Sequence, residues 1–220
     1  MGDGTYWSEW FQFRTADIKP EPFSFIYLGD SQTQLHALWS RCIRAAYAAA
    51  PQARFMLHAG DLVNNPESDA EWQEWFAAGS FIYATIPSFF TAGNHEYAKT
   101  LAMPHLTKYW RPQINMPQNG PGPNKEDLVY YFDYQNVRVI SLNSYWGAAG
   151  QVSWLEKILK NNPQKWTVVL FHYPMFSDAR SQFGAPLVKH WKPLFDKYKV
   201  DLVLQGHDHV YSRVRGLTAI

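Results

Sequence analysis

The sequence predicts an α/β fold, and two observations support that prediction. Short apolar runs alternate with segments whose apolar residues recur every three or four positions, as expected when strands and amphipathic helices follow one another. The runs are continuous rather than alternating, which is typical of strands covered on both faces in a largely parallel sheet. A hairpin pattern in the second half of the chain indicates a mixed or a second sheet.

The first half of the chain is predicted to hold three strands, at 23–28, 54–59 and 88–92, and two helices. The apolar positions between Leu35 and Ala50 step by three and four, so they form one buried helical stripe, which is expected to include Cys42. Ser68 followed three residues later by Glu71 is a capping box, which predicts a second helix that runs to residue 79.

The second half begins with a segment, 100–127, that has no clear period and is rich in proline, glycine and asparagine near its end. We therefore expect a long surface loop there. The elements predicted after it are a hairpin of strands 128–133 and 137–142, a helix at 152–159, a strand at 166–171, a helix at 187–198 and a buried strand at 200–204. Pro193 is expected to kink or split the last helix, because proline lacks the donor N–H and clashes with the preceding turn.

The amino-terminal residues differ in pattern from the rest of the chain. Residues 5–15 alternate apolar and polar well enough for one strand, but a lone strand has nothing to pair with. We therefore expect residues 1–17 to be the remnant strand of a preceding β domain and 18–22, which contains two prolines, to be a linker. Residues 23–220 then form one domain, for which truncation at the carboxyl end stays open.

Composition excludes several classes of function. With 20 Lys and Arg against 19 Asp and Glu among 220 residues, the net charge is +1, so no broad basic field is available to hold nucleic acid. One cysteine allows no internal disulfide and no cysteine-based zinc or iron–sulfur centre. No apolar run approaches the roughly 18 residues that a membrane helix needs. We therefore expect neither a nucleic-acid partner nor a membrane partner.

Five of the apolar strands each end in a turn that carries metal-type ligands. Pooled, these turns supply Asp30, Asp61, Asn94, His172, His207 and His209. Because ligands bind at the carboxyl ends of the strands in an open α/β sheet, the fold prediction brings these turns to one rim. A glycine directly before four of the turns lets the chain bend sharply while its neighbour points at the centre.

The chemistry of these donors favours metal-assisted hydrolysis. Oxygen and imidazole donors without thiolate suit zinc, manganese or iron. Six ligands are too many for one catalytic ion that must keep an open position, whereas two ions bridged by one carboxylate would use the whole set. Such a pair clamps the attacking and leaving oxygens in a displacement at phosphorus. Hydrolysis of a phosphate ester is therefore the first hypothesis.

With these motifs the chain resembles a known family. The sequences Gly29-Asp30, Gly60-Asp61, Gly93-Asn94-His95-Glu96 and Gly206-His207-Asp208-His209, in this order, are similar to those of the calcineurin-like metallophosphoesterases, and within them of the purple acid phosphatase branch. The resemblance covers roughly residues 23–213. It implies a four-layer αββα sandwich with mixed sheets. It also makes residues 6–15 look like the last strand of the fibronectin-type domain that precedes the catalytic domain in that branch.

The resemblance further implies roles for individual residues. By motif, Asp30 and His209 would hold the first metal, Asp61 would bridge, and Asn94, His172 and His207 would hold the second. The cofactors would be two divalent or mixed-valence ions of iron, zinc or manganese, with a bridging hydroxide that attacks phosphorus. His95 would lie over the site without binding metal, assisting the leaving group or stabilising the transition state. Glu96 is expected to brace the His95 turn, and His58 to be packed rather than a ligand.

Three positions depart from the family pattern. The ferric-iron tyrosine of purple acid phosphatases is replaced by Asn64, so the purple chromophore should be absent. Gln32 stands where non-purple relatives often carry a histidine, so Gln32 and Asn64 are candidate metal ligands or partners of the ligands. Plant-type members place histidines where this chain has Ser181 and Gln182, so substrate contacts are expected from Gln182 or from the adjacent Arg180, whose guanidinium suits phosphate oxygens.

Three functions remain open on the sequence. The first is a phosphomonoesterase acting on a small-molecule phosphate ester. The second is a nucleotide phosphodiesterase. The third is a metal-binding module that has lost turnover, which gains support from Gln32, from Asn64 and from the mere eleven residues that follow His209. Family resemblance favours a periplasmic or extracellular location, and the oligomeric state is unknown.

Overall fold

The structure is a computed structural model that describes residues 3–99, 103–122, 127–177, 179–180 and 183–215. Its strands, in chain order, are β1 Ile26–Leu28, β2 Met56–His58, β3 Ser88–Phe90, β4 Tyr97–Lys99, β5 Pro104–Leu106, β6 Tyr130–Tyr134, β7 Val137–Ser141, β8 Trp166–Leu170 and β9 Leu202–Leu204. Its helices are α1 Ser40–Ala49, α2 Asp69–Gly79, α3 Phe81–Thr85, α4 Trp110–Gln113, α5 Val152–Lys160, α6 Gly184–His190 and α7 Lys192–Tyr198.

Two sheets form the centre of the molecule. The sequence predicts a largely parallel sheet and leaves open whether the hairpin makes that sheet mixed or belongs to a second sheet. The first sheet has the order β1-β2-β3 and is parallel throughout. The second has the order β6-β7-β8-β9, in which β6 and β7 form the expected antiparallel hairpin and β7, β8 and β9 run parallel. All parallel strands of a sheet end at the same edge, which positions the turns that follow them.

The two sheets pack face to face and each carries helices on its outer face. Phe55, Leu57 and Ala59 from the β2 region meet Val139 and Leu170 of the second sheet in one buried cluster. Residues between them along β2 point the other way, by the two-residue period of a strand, toward the layer formed by α1 and α2. Helices α5 to α7 cover the second sheet in the same manner. This four-layer αββα sandwich confirms the predicted fold class.

The first predicted helix forms, but its buried face is narrower than expected. Leu35, Trp39 and Ile43 are buried in steps of four residues, and the segment Leu35–Trp39 is a π-helical turn that leads into α1. Cys42 is exposed, so the prediction that it lies on the buried stripe is wrong. A helical residue points about 100° away from its neighbour, and Cys42 directly precedes the buried row.

The boundaries of two later helices follow their sequence signals. The Ser68 hydroxyl accepts a hydrogen bond from the Glu71 N–H at 3.3 Å and begins α2. The Glu71 carboxylate, however, accepts from the backbone N–H groups of Asn64 and Asn65 at 2.8 Å, which ties the preceding loop to the helix. Near Pro193 the predicted last helix is split into α6 and α7, as expected.

Two segments differ from the secondary structure that the sequence predicts for them. Residues 5–15 form no strand beyond an isolated bridge at Trp7, and the Trp10 side chain is 99% exposed. Its origin in a preceding β domain stays a prediction. The segment 100–127 is not simply a surface loop: in its described part, β5 pairs with β4 and the Trp110 side chain is fully buried.

The predicted strand at 200–204 is shorter and less buried than expected. It comprises Leu202–Leu204, and Leu202 is exposed because β9 forms an edge of the second sheet. Within the described ranges, no helix is both long enough and apolar enough to cross a membrane.

His58 is packed, as expected, and this has a consequence for stability. Its ring lies among Trp39, Trp75, Tyr83 and Phe90 at centroid distances of 4.8–6.3 Å, and its Nε2 has no hydrogen-bond partner among the described residues. Burial in this aromatic cage lowers the pKa of His58 to about 3 from its ordinary 6.5. The folded protein therefore holds the ring neutral where the unfolded chain protonates it.

Replacing His58 with phenylalanine is expected to weaken the acid sensitivity of folding. Between pH 6.5 and 3 the unfolded wild-type chain binds one proton more than the folded chain at this residue, so stability falls as pH falls, by up to about 1.4 kcal/mol per pH unit. His58→Phe removes that proton and fits the aromatic surroundings. Urea unfolding at pH 7, 6 and 5 with a chelator present measures the difference. His36→Phe, at an exposed position, is the control, and equal slopes in all three proteins would contradict the prediction.

Candidate metal centre

The turns after β1, β2, β3, β8 and β9 meet at one edge of the sandwich. The Asp30 N–H donates to the Gly60 carbonyl at 3.0 Å, within the first sheet. The Gly206 N–H donates to the His172 carbonyl at 2.8 Å, within the second. The His207 N–H donates to Asp30 Oδ1 at 2.8 Å and so joins the two sheets. The carboxyl ends of strands from both sheets thus converge, as the sequence predicted for a single rim.

Four of the predicted ligands have left-handed backbone conformations. The φ angles are 56° at Asp30, 52° at Asp61, 76° at His207 and 55° at His209. Residues with a Cβ atom pay of order 1–3 kcal/mol each in such conformations, and they persist where the surrounding structure enforces them. Clustering of such conformations at one rim is typical of functional sites.

The densest part of the centre surrounds His172. Its Nδ1–H donates to the Ala59 carbonyl at 2.8 Å, which fixes the ring and turns Nε2 toward the rim. Three acceptor-type atoms surround that Nε2: Asp61 Oδ2 at 3.2 Å, Asn94 Oδ1 at 3.1 Å and His207 Nδ1 at 3.2 Å. Four atoms that bear lone pairs therefore converge on one small volume.

The electrostatics of this group depend on a positive charge at its centre. Burial opposes ionisation, yet the hydrogen bond between His172 and Asp61 holds the pKa of Asp61 below its usual range and raises the pKa of His172 to about 9. Burial, then the charges of His172 and Arg180, lower the pKa of His207 to about 4. The described residues by themselves thus keep a proton between Asp61 and His172. A metal cation at the same place would be bound by the same lone pairs.

The donors fit a metal cation. Asp61, His172 and His207 are all buried, and each offers one ligand atom within 4.8 Å of the others. In the turns of the centre, the acceptor oxygens Oε1 of Gln32 and Oδ1 of Asp208 are buried without a hydrogen-bond partner among the described residues, and so is Nε2 of His207. Gln32 belongs to the β1 turn, and its N–H donates to the Asp61 carbonyl at 3.2 Å. A polar site with unsatisfied acceptors suits a cation or the water that it holds.

The other half of the centre is more open. His209 Nε2 lies 3.7 Å from Asp30 Oδ1, and the His209 side chain is 48% exposed, whereas Asp30 is largely covered. Burial raises the pKa of Asp30, and the nearby negative charge of Asp61 opposes its ionisation further. The pair Asp30 and His209 therefore borders solvent, where a substrate can approach.

His95 is held beside the centre by two contacts. Its backbone N–H donates to Asp61 Oδ1 at 2.8 Å, and its ring Nδ1 lies 2.8 Å from the Asn64 carbonyl oxygen. A carbonyl oxygen only accepts, so Nδ1 carries a proton and Nε2 is the atom left to exchange one. Asn64 acts here through its backbone, and its side chain is exposed.

Glu96 braces the turns, as expected. Its fully buried carboxylate accepts from the backbone N–H groups of Asp61 at 2.8 Å, of Leu62 at 2.7 Å and of Gly93 at 2.7 Å. Burial, then the negative charge of Asp61, raise the pKa of Glu96 to about 7. One side chain therefore ties the turn after β2 to the turn after β3.

Gly93 is required for its size. A Cβ atom at this position would lie 2.7 Å from the Asp61 backbone nitrogen and 2.8 Å from His172 Cε1, and would also collide with Asp61 Oδ1. Any side chain would therefore displace Asp61 or His172, so the glycine before Asn94 is explained by close packing of two turns.

Sequence reasoning missed the residues that position the ligands. The Ala59 carbonyl orients His172, and the Tyr173 and Phe183 rings flank His207 at centroid distances of 4.5 and 5.0 Å. The only available signal was the position of Tyr173 directly after a predicted ligand. Of the predicted substrate contacts, Arg180 is exposed and near enough to affect His207. Gln182 and the adjacent Ser181 lie outside the described residues.

A sequence model for the calcineurin-like phosphoesterases matches residues 23–211. An uncharacterised protein of Mycobacterium tuberculosis is 33% identical over 162 residues, which cover 64% of this chain and 30% of the relative. The Fe(3+)-Zn(2+) purple acid phosphatase 12 of Arabidopsis thaliana is 28% identical over 97% of this chain and 48% of its own length. The chain therefore spans less than half the length of these relatives.

Comparison with solved structures gives the same fold. A purple acid phosphatase from yellow lupin seeds superposes with a TM-score of 0.64 at 19% identity, over 88% of this chain and 38% of the lupin chain. At this identity the likeness concerns the fold, and it agrees with the four-layer sandwich.

Proposed function

The chain belongs to the calcineurin-like phosphoesterase family, in its purple acid phosphatase-like branch, and from this premise we propose that it hydrolyses phosphate monoesters of small molecules at a binuclear metal centre. The observation that supports this most directly is the convergence of oxygen and nitrogen acceptors from Asp61, Asn94 and His207 around His172 Nε2. Such a set is costly to bury without a cation.

The proposed metal ligands divide into two groups that share Asp61. Asn94, His172 and His207 form the buried group, while Asp30 and His209 form the open one, with Gln32 beside them. When bound, two such ions supply Lewis acidity, which activates water near neutral pH and neutralises charge that develops on phosphate oxygens. The uneven burial of the two groups favours tighter binding at the buried group.

The chain's own residues supply positioning and proton transfer. His95 is fixed through Nδ1, so a second proton on Nε2 is the one available to a leaving oxygen. Arg180 is exposed and its charge acts on His207, so its planar guanidinium is proposed to bind phosphate oxygens, with Gln182 acting beside it. Glu96 and Gly93 hold the turns so that His95 and Asp61 keep their relative positions.

The metals are proposed to be iron, zinc or manganese. Oxygen and imidazole donors suit all three. The chain has Asn64 where purple relatives carry the tyrosine that binds ferric iron, and the Asn64 side chain points into solvent. We therefore expect a colourless protein, in contrast to the relative that is named as an Fe(3+)-Zn(2+) purple acid phosphatase. A periplasmic or extracellular location stays a prediction from the family resemblance.

Elemental analysis of protein purified without chelator, paired with an assay, tests the proposal. We expect two metal ions per chain and faster hydrolysis of p-nitrophenyl phosphate than of bis(p-nitrophenyl) phosphate. Faster hydrolysis of the diester would favour the phosphodiesterase alternative. Two metals without turnover would favour a metal-binding module. Absence of bound metal would contradict the phosphomonoesterase, the phosphodiesterase and the metal-binding module alike.

A further inference from the structure

The turn after β1 contains a buried serine, Ser31, to which the proposed reaction assigns no role. Its neighbours in the chain are Asp30, a proposed metal ligand, and Gln32, which is proposed to lie beside the open group of ligands. The Ser31 hydroxyl makes two buried hydrogen bonds, and neither partner is a proposed ligand. Its role therefore depends on what these two bonds connect.

The two hydrogen bonds of Ser31 form a chain with one direction. Trp75 Nε1–H donates to Ser31 Oγ at 3.0 Å, and Ser31 Oγ lies 2.9 Å from the Leu62 carbonyl oxygen. An indole N–H can only donate and a carbonyl oxygen can only accept, so the one hydroxyl proton of Ser31 goes to Leu62. The chain runs from Trp75 through Ser31 to Leu62, and its buried bonds strengthen one another.

Trp75 is a rigid anchor for this chain. Its side chain is fully buried on α2, where it stacks on Tyr83 at a centroid distance of 4.5 Å and an interplanar angle of 13°. The Phe76 ring meets it edge-on at 5.1 Å. Close packing by two rings fixes the indole, so its Nε1–H is held in one position toward Ser31.

Leu62, at the other end of the chain, belongs to the hydrogen-bond network of Glu96. It is buried, and its backbone N–H donates to Glu96 Oε1 at 2.7 Å. Because Glu96 also binds the turn after β3, Ser31 joins the turn after β1 to both of the others. Helix α2 and three turns of the first sheet are thus held by one set of buried hydrogen bonds.

Asp30 depends on such support because of its backbone. Its φ angle of 56° is a left-handed conformation, which is unfavourable for a residue with a Cβ atom and persists where the surrounding structure enforces it. The Asp30 N–H donates to the Gly60 carbonyl at 3.0 Å, and the Gln32 N–H donates to the Asp61 carbonyl at 3.2 Å. Between these two backbone bonds, Ser31 adds a side-chain bond that links the same two turns.

We propose that Ser31 is a positioning residue: with Trp75 behind it, it holds the Asp30 carboxylate where the open group of ligands needs it. The inference rests on the proposed function, because it concerns the metal ions of that centre. In this role Ser31 itself touches neither metal nor substrate. The buried group of ligands does not depend on it, because Glu96 holds the Asp61 backbone separately.

Calorimetric titration of metal-free Ser31→Ala with Zn²⁺ tests this role. Loss of a residue that orients a metal ligand weakens metal binding by roughly 10- to 100-fold. Because the serine acts on Asp30 through the backbone of its turn, we expect the lower end of that range. The weaker of the two binding events, which belongs to the open group, should become about 10-fold weaker, and the tighter one should stay unchanged.

Ser141→Ala is the matched control for stability. Ser141 is a buried serine of β7 whose hydroxyl likewise donates to a leucine carbonyl, that of Leu128, at 3.1 Å. Urea unfolding of the metal-free proteins should show comparable losses of stability in Ser141→Ala and Ser31→Ala, but only Ser31→Ala should change zinc binding. Equal changes in zinc affinity in both variants would overturn the inference.

Trp75→Phe tests the chain from its other end, and it carries the test if Ser31→Ala does not fold. It keeps an aromatic ring and removes the N–H donor, so we expect a loss of about 3-fold in the same zinc affinity. Trp72→Phe, also on α2, removes an indole N–H that donates to the Pro66 carbonyl at 2.9 Å, and should leave zinc binding unchanged. The double variant Ser31→Ala, Trp75→Phe should lose no more affinity than Ser31→Ala alone, and additive losses would contradict the chain.

Failure of this inference is distinguishable from failure of the proposed reaction. If the wild-type protein binds two zinc ions but hydrolyses no ester, only the reaction is wrong, because the titration still reports on Ser31. If esters are hydrolysed and folded Ser31→Ala binds zinc as the wild type does, or loses equal affinity in both binding events, only the inference is wrong. A wild-type protein that binds fewer than two zinc ions refutes both.

Discussion

Asp61→Ala is expected to abolish bound metal and hydrolysis together. Asp61 is buried, its Oδ2 lies 3.2 Å from His172 Nε2, and its Oδ1 accepts from the His95 N–H at 2.8 Å. Its removal takes away the carboxylate proposed to be shared by both ions, and it leaves the other ligands to bind cations without the central negative charge. Because Lewis acidity contributes several kcal/mol to such reactions, we expect a loss in kcat of about 10³-fold or more.

Two variants make this result interpretable. Asp61→Asn keeps the shape of the side chain and an oxygen for the His95 N–H, so a loss of metal in this variant reports charge rather than a cavity. Asp196→Ala removes a carboxylate from an exposed site, 58% accessible on α7, and should retain metal and rate. Elemental analysis, circular dichroism and p-nitrophenyl phosphate hydrolysis are the measurements. His209→Ala is likewise expected to lose metal and activity. Wild-type metal content in folded Asp61→Ala would refute the role of this residue.

The sequence predicted which turns meet better than it predicted the segments that connect them. Each strand-end motif can be recognised locally, because Gly60 and Gly93 permit a close approach and the residue after each glycine is a metal-type donor. Parallel strand order explains why the turns within each sheet meet, whereas the contact between the two sets depends on how the two sheets pack. Which strands share a sheet could not be decided, because the continuous apolar runs of β2 and β8 look alike although one faces the other across the interface.

The predictions of burial that were wrong also have a physical cause, which is that tertiary contacts decide which side chains are buried. Cys42 fits a helical stripe by spacing, but tertiary contacts select one row of that stripe, through Trp39 and Ile43. Trp110 lies in a segment without periodicity and is nevertheless fully buried, since a single helical turn suffices to place one large side chain in the core. The aromatic rings that flank His207 come from residues far from it in the chain, and no local pattern encodes such contacts.

His95→Ala should leave the metals bound and slow the reaction, which distinguishes it from Asp61→Ala. Its ring is held through Nδ1 by the Asn64 carbonyl, and among the described residues it makes no hydrogen bond to the ring nitrogens of the proposed ligands. A positioned general acid contributes roughly 10²- to 10⁴-fold, so we expect a loss of this size in kcat for esters with poor leaving groups. His36→Ala, at an exposed position, is the matched control and should behave as wild type.

The dependence of this loss on the leaving group decides between the two roles considered for His95. A general acid matters little for p-nitrophenyl phosphate, whose leaving oxygen departs as a stable anion, and greatly for an alkyl phosphate, whose oxygen must be protonated. Stabilisation of charge on the phosphate oxygens would instead cost both substrates equally. Because the hydrogen bond to Asn64 leaves only Nε2 to exchange a proton, we expect the unequal loss. An equal loss, or a loss of metal, would show that His95 acts on the phosphate or on the centre itself.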